Sequence, residues 1–171
     1  MSVVADIGPL HYRILLGQTE LLHRFYNQVI VPKAVLTELT SARAPQSVQD
    51  WLAKPPSWLR VQEVPSSQLE LVTADLDLGE REAIALAHLL GADLLLIDEA
   101  SGRAEARRRN LRVAGTLGIL RIAAEKELIE VPEVLVRLRE TSFYVDEDLI
   151  RSIFGRWLGE NRASPTSSST F

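Results

Sequence analysis

The chain has 171 residues, 46% of them hydrophobic and 25% charged, a composition typical of one soluble globular domain. It contains no cysteine, which excludes disulfides and thiolate metal sites, and its net charge of −4 argues against holding nucleic acid by bulk electrostatics. No apolar run approaches the ~20 residues of a membrane span, and the N-terminus lacks the pattern of a signal peptide. We therefore expect a cytoplasmic protein with no membrane partner.

Short apolar segments alternate with segments of helical spacing along the chain. The predicted strands are 2–6, 28–32, 58–65, 94–97 and 111–115, of which the third looks peripheral. One or two helices are predicted between residues 8 and 26, and the further helices are 32–41, 43–56, 78–92, 100–110, 116–129, 131–142 and 145–160. This alternation predicts an α/β fold, a three-layer α/β/α sandwich around a mainly parallel sheet.

The clearest helix is the one at 78–92. Ala83, Ile84 and Ala87, with Leu90 or Gly91, form its apolar stripe, and Gly91 suits the residue just past a helix end.

A polar tail at 159–171 is predicted to be disordered. We therefore predict a single domain over residues 1–158. The apolar face of its last helix is core or, alternatively, a dimer or partner surface.

Acidic residues follow two of the predicted strands. Asp6 ends the first strand, and Asp98 and Glu99 follow the apolar run that begins at Leu94. Ligands of parallel α/β sheets bind beyond the carboxyl ends of the strands, so neighbouring strands would bring these acids together. Alone, each of these residues is more often a helix cap or a turn residue.

Two helical acids have positions from which they reach the same edge. Glu38 borders the apolar face of its predicted helix, and Glu80 lies in the first turn of the helix at 78–92. Their ordinary roles would be a solvated residue and a favourable partner of the helix dipole. Glu82 points elsewhere on the helical wheel unless the turn is irregular. The acids from four segments could therefore form one pocket.

A divalent cation is the natural counter-charge for such a pocket. Clustered carboxylates repel and raise one another's pKa, and no Lys or Arg is interleaved with these acids in the sequence. Oxygen-only donors favour Mg²⁺ or Mn²⁺ over zinc. Such an ion can activate water for attack on a phosphodiester.

Four blocks of the chain, in order, resemble the PIN domain. They are "VVADIGPLHY", "VIVPKAVLTEL", "LDLGEREAIALAHLLGADLLLIDE" and "VAGTLGIL", within roughly residues 1–155. The chain is most similar to the branch related to toxins of bacterial and archaeal toxin–antitoxin pairs, the VapC-like proteins. The resemblance implies a metal-dependent endoribonuclease, with an RNA substrate, a cognate antitoxin and a homodimeric state.

The resemblance also implies the site residues. The four acids of the family match Asp6, Glu38, Glu80 and Asp98, which would bind one or two Mg²⁺ or Mn²⁺ ions so that activated water cleaves RNA. Glu99 would be an accessory ligand, and Glu82 is the alternative to Glu80.

Two positions beside these acids bear on the site as well. Relatives usually carry Ser or Thr after the first acid, where this chain has Ile7. Thr116 either supplies a hydroxyl to the substrate or caps a helix.

Three further interpretations remain open. Arg103 is the best candidate for a substrate phosphate, within an arginine run (103–112) that contacts RNA or an acidic antitoxin, or is only a solvated helix face. Ile7 favours a second hypothesis, a catalytically weak or inactive PIN-like module that binds RNA or protein. A receiver-like phospho-acceptor ranks last, because that chemistry requires a lysine at the site and Lys33, Lys54 and Lys126 are poorly placed.

Overall fold

The computed structural model describes residues 1–41 and 43–159. The strands of this part are β1 (Val3–Ala5), β2 (Val29–Pro32), β3 (Leu59–Gln62), β4 (Leu94–Leu96) and β5 (Val113–Ala114). The helices are α1 (Ile7–Leu15), α2 (Thr19–Tyr26), α3 (Lys33–Leu39), α4 (Gln46–Ala53), α5 (Ser66–Leu69), α6 (Leu78–Leu90), α7 (Ala100–Arg108), α8 (Thr116–Glu125), α9 (Val131–Arg139) and α10 (Glu147–Phe154). None of these helices combines the length and the apolar character needed to span a bilayer.

All five strands pair in parallel, in the order β3-β2-β1-β4-β5. The predicted parallel sheet is thus confirmed, and β3 lies at an edge, as its peripheral character indicated. Ala5 is opposite Leu96, so the chain leaves β1 and β4 side by side at the same edge of the sheet. This register brings the acids that follow the two strands to neighbouring positions.

Alternate residues of the central strands enter two separate cores. Val3 and Ala5 pack with buried side chains of α1, α2, α3 and α4, whereas Val4 and Leu95 pack with those of α6 and α7. Since successive side chains of a strand point to opposite faces, both faces of the sheet are covered by helices. The prediction of a three-layer α/β/α sandwich is confirmed.

Helix α6 has well-formed signals at both ends. The side chain of Asp77 accepts a hydrogen bond from the Glu80 amide at 2.8 Å, and Glu80 Oε2 accepts one from the Asp77 amide at 3.4 Å, which completes a capping box. Gly91 ends the helix in the left-handed region, with φ 54° and ψ 45°. The predicted stripe is confirmed at Ala83, Ile84 and Ala87, whereas Leu90 and Gly91 are exposed.

Helix α5 is an element that the sequence did not predict. It spans only Ser66–Leu69 and follows Pro65. Four residues are little more than one helical turn, so they carry no detectable apolar period.

The chain divides into two compact units, Met1–Leu120 and Arg121–Phe171. The first contains the whole sheet. In the second, α10 buries Ile150 and Phe154, and Arg139 donates to both carboxylate oxygens of Glu147 at 2.9 and 2.8 Å. Apart from Gly159, the predicted tail at 159–171 lies outside the described residues, and the single domain over 1–158 stays a prediction.

Candidate functional site

Asp6 lies between β1 and α1 and is almost fully buried, with only 3% of its surface exposed. Its Oδ1 is buried and has no hydrogen-bond partner among the described residues. Burial raises the pKa of Asp6 to about 7, the backbone hydrogen bond from Ile7 opposes this shift, and the charges of Asp77, Glu80 and Glu38 add to it. This side chain therefore carries an uncompensated acidic oxygen at the carboxyl edge of the sheet.

Glu80 places a second buried oxygen in the same region. Its side chain is 4% exposed, and Oε2 is committed to the capping box with Asp77. The other oxygen, Oε1, is buried without a partner in the described part of the chain. Burial raises the pKa of Glu80, and so do the charges of Asp77, Glu99 and Glu38, whereas the backbone hydrogen bond at Asp77 lowers it.

Glu38 and Asp77 approach these acids around the backbone of Gly79. A Cβ atom built on Gly79 would lie 2.9 Å from Glu38 Oε1 and 3.5 Å from both Asp6 Oδ1 and Asp77 Oδ1. Glu38 is an exposed residue of α3, and desolvation raises its pKa, followed by the charge of Asp77. Carboxylates from three segments thus converge on one point. Asp77 was not among the predicted site residues, although an Asp before an amphipathic helix, with Glu80 at the third helical residue, is a capping-box signal.

Asp98 has a different environment, because both of its oxygens have partners. Oδ1 accepts from the Thr116 amide at 2.6 Å and Oδ2 accepts from the Thr116 hydroxyl at 2.7 Å. Burial raises the pKa of Asp98, whereas these hydrogen bonds and the charges of Arg13 and Arg103 lower it. Asp98 therefore joins β4 to the start of α8, rather than capping α7. The role of Thr116 in substrate binding stays a prediction.

Arg13 is a cation that the sequence analysis missed. It is fully buried, and its guanidinium donates to the Thr116 carbonyl at 2.9 Å and to Gln18 Oε1 at 3.1 Å. Burial lowers the pKa of Arg13 to about 10, although the charge of Asp98 acts in the opposite direction. No arginine is interleaved with the acids in the sequence, but the fold brings Arg13 close enough for its charge to lower the pKa of Asp98. The sequence feature that indicates the burial of Arg13 is its position beside Ile14, on the apolar face of α1.

Glu99 and Glu82 lie to either side of this group. Glu99 is exposed and precedes α7 as its N-cap residue, and its charge raises the pKa of Glu80. Glu82 turns away, and its Oε2 accepts from the Ala34 amide at 3.0 Å, at the start of α3. The structure therefore brings Glu80, and not Glu82, to the other acids.

The arginine run divides into paired and exposed members. Arg108 and Arg109 form ion pairs with Glu105 at 2.6 and 2.9 Å. Arg108 is exposed, which supports the interpretation of a solvated helix face for this residue, whereas Arg109 is half-buried and also donates to the Leu71 carbonyl. Arg107 and Arg112 are exposed. Arg103 is half-buried, and its Nε is buried without a hydrogen-bond partner in residues 1–41 and 43–159.

The donor set fits a hard divalent cation in its chemistry. The described residues contain no group of three His, Cys, Asp or Glu side chains already arranged to hold a metal ion. However, Asp6 Oδ1 and Glu80 Oε1 are buried and unpartnered, and Glu38 is exposed, so its side chain can change rotamer. All of these donors are oxygens, the ligands that Mg²⁺ and Mn²⁺ prefer.

Replacing Gly115 by Ala is expected to destabilise the protein by about 2 kcal/mol, the typical effect of overpacking a tight site. The new Cβ would lie 2.6 Å from Asp98 Oδ1, which Thr116 holds in place, and 3.4 Å from the Ile97 carbonyl. Urea unfolding measures the change. Gly118→Ala is the matched control, because within the described part of the chain its Cβ would meet one atom, Ala114 Cβ at 3.7 Å, in a helix that favours Ala. Equal stability of the two variants would contradict the prediction.

Comparison with known proteins agrees with the fold. A family model of the PIN domain matches residues 2–158. PIN domains typically use divalent metal ions and are generally nucleases. No curated protein matches the chain. Because the family model covers most of the sequence, and because the sheet carries acids at its carboxyl edge, this protein belongs to the PIN-domain family.

Proposed function

We propose that this protein is a metal-dependent endoribonuclease and the toxin of a toxin–antitoxin pair. One observation carries the nuclease proposal. Two buried carboxylate oxygens, Asp6 Oδ1 and Glu80 Oε1, lack partners in the described chain at the edge of the sheet where Glu38 is exposed to solvent. Burying such oxygens is unfavourable unless a positive charge balances them.

The proposed ligands are Asp6, Glu38, Glu80 and Asp98, with Glu99 as an accessory. These residues would hold a Mg²⁺ or Mn²⁺ ion, which would supply the positive charge needed to activate water and to stabilise the phosphodiester. The burial of Asp6 and Glu80 keeps competing water from their oxygens.

The remaining residues orient the acids or bind the substrate. Thr116 fixes the carboxylate of Asp98 through two hydrogen bonds, so it contributes by positioning that group. Arg103 lies close enough to Asp98 to lower its pKa, which supports a role for its guanidinium at a phosphate beside the acids. Arg107 and Arg112 are exposed and available for phosphates farther along the RNA.

A second candidate is a PIN module that binds RNA or protein without turnover. Two observations favour it: Thr116 already occupies both oxygens of Asp98, and Ile7 follows Asp6 where relatives usually provide a hydroxyl. Calorimetry with Mn²⁺ separates the two functions. Uptake of the metal is required for the nuclease, whereas absence of uptake would favour the binding module.

The resemblance to VapC-like proteins is the basis for four parts of this proposal: the toxin role, the cognate antitoxin, the homodimer and the cytoplasmic location. A small DNA-binding or antitoxin-like reading frame beside the gene would support them. Co-expression with that partner should suppress RNA cleavage by the purified complex, and undiminished cleavage would contradict the toxin assignment.

Glu80→Gln is expected to lower Mn²⁺-dependent RNA cleavage at least tenfold, roughly 1.4 kcal/mol of transition-state stabilisation. The substitution keeps the shape of the side chain but removes its charge from the buried oxygen. Glu82→Gln is the matched control, because its amide oxygen can still accept from the Ala34 amide. Cleavage is measured on a labelled RNA, and equal losses in both variants would contradict the assignment of Glu80.

A further inference from the structure

We propose that Asp77 is a further carboxylate of the divalent-cation site, and that it faces the same space as Asp6 and Glu38 while it caps α6. This inference rests on the proposed function and deepens it. The known pattern of four acids does not include this position, which lies one residue before the first residue of α6.

The geometry around Gly79 is the first observation. One point, the Cβ position of Gly79, lies 2.9 Å from Glu38 Oε1 and 3.5 Å from each of Asp6 Oδ1 and Asp77 Oδ1. A Cβ at that point would press against the Glu38 oxygen, so the absence of a side chain at Gly79 lets the carboxylates come this close. Three carboxylates from different segments therefore border one small space.

The burial of the neighbouring acids is an independent observation. Asp6 is 97% buried and its Oδ1, one of the oxygens that border this space, has no partner among residues 1–41 and 43–159. Glu80, 96% buried, has an unpartnered oxygen as well, and the capping box attaches it directly to Asp77. An orphaned buried carboxylate oxygen at this point calls for a positive ligand.

The capping role leaves part of the Asp77 side chain available. The cap uses Oδ1, which accepts from the Glu80 amide at 2.8 Å. Within the described residues, Oδ2 accepts no hydrogen bond, and the residue is exposed. The oxygen that borders the space at Gly79 is this same Oδ1, and the capping hydrogen bond uses one of its lone pairs. Asp77 can therefore hold the start of α6 and still bind a cation.

Asp77→Asn tests the inference by calorimetry with Mn²⁺ alone, and the expected result is a loss of affinity of roughly tenfold or more. Asn is as good an N-cap as Asp, so the metal-free melting temperature should not fall. Asp77→Ser is a second variant, which keeps a capping oxygen but shortens the side chain. Asp75→Asn is the matched control, because Asp75 is exposed two residues earlier and, among the described residues, its side chain is bonded only by Thr73.

The outcomes separate this inference from the proposed function. Wild-type uptake of Mn²⁺ with unchanged affinity in both Asp77 variants would overturn the role of Asp77 and leave the nuclease proposal intact. Equal weakening in Asp75→Asn and Asp77→Asn would also overturn it, since the effect would then be one of net charge. Absence of uptake by the wild-type protein would overturn the proposed metal site together with this inference.

Discussion

Asp6→Asn is expected to lower Mn²⁺-dependent RNA cleavage roughly 100-fold or more, since a cation at such a site supplies several kcal/mol of transition-state stabilisation. Asn keeps the size of the side chain and one oxygen. It removes the negative charge from the most deeply buried of the clustered acids. Single-turnover cleavage of a labelled RNA measures the chemical step, and calorimetry measures the accompanying loss of Mn²⁺ affinity.

The same substitution is expected to stabilise the metal-free protein at pH 8. The pKa of Asp6 rises from an ordinary 3.8 to about 7, so folding favours its protonated form. As the pH rises between these values, the unfolded chain releases the proton first, and the native state loses stability. The full loss, present above about pH 7, is roughly 4 kcal/mol at 1.36 kcal/mol per pKa unit. Urea unfolding from pH 4 to 8 without metal measures it.

Controls for Asp6→Asn distinguish the site from general charge effects. Asp50→Asn is matched, because Asp50 is an exposed residue of α4 whose partner, the side chain of Gln46, can still donate to the amide oxygen. This variant should cleave RNA and respond to pH as the wild-type protein does. Unchanged cleavage by Asp6→Asn would contradict the nuclease proposal. If the free energy of unfolding of Asp6→Asn depended on pH as that of the wild-type protein does, burial would not raise the pKa of Asp6 as described.

Arg13→Met is expected to destabilise the protein by about 3 kcal/mol, the effect of removing one member of a buried charged group. Met fills the volume of the arginine stem. It leaves the Thr116 carbonyl without its donor at 2.9 Å and removes a positive charge that lowers the pKa of Asp98. The free energy of urea unfolding at pH 7 measures the change.

Arg24→Met is the matched control for this effect, because Arg24 is exposed on α2 and its loss should change stability by about 0.5 kcal/mol or less. Arg13→Lys should fall between the two, since Lys keeps the charge but not the planar fork. If Arg13→Met were as stable as the wild-type protein, Arg13 would not be the internal counter-charge of Asp98.

Much of the fold was predictable from the sequence, because strands and helices depend on local patterns of apolar residues. Short apolar runs separated by helical spacing indicated parallel strands, and the sheet contains all five of them. Gly91 was predicted as a helix end and has the left-handed conformation that glycine tolerates best. The four-residue helix α5 was missed, because so short a segment has no period to detect.

The candidate site was only partly predictable, because its contacts join distant segments. The position of Glu80 in the first turn of its helix indicated that it could join the other acids, whereas its burial is a finding of the structure. The capping oxygen of Asp77 has a local signal, but its approach to Glu38 depends on how α3 packs near α6. Arg13 precedes Thr116 by 103 residues, so nothing in the local sequence of either residue indicates their hydrogen bond.

The sequence by itself determined which residue types reach the carboxyl edge, since the end of each strand fixes where Asp6 and Asp98 leave the sheet. Only the tertiary structure decided how their charges are balanced. The carboxylate of Asp98 accepts hydrogen bonds from Thr116 and lies near the positive charge of the buried Arg13. Asp6, in contrast, has one oxygen without a hydrogen-bond partner among the described residues, and Asp77 is one of the acids near it. The physical reason is that the pKa of a carboxyl depends on burial and on the charges around it in space, and side-chain packing sets both.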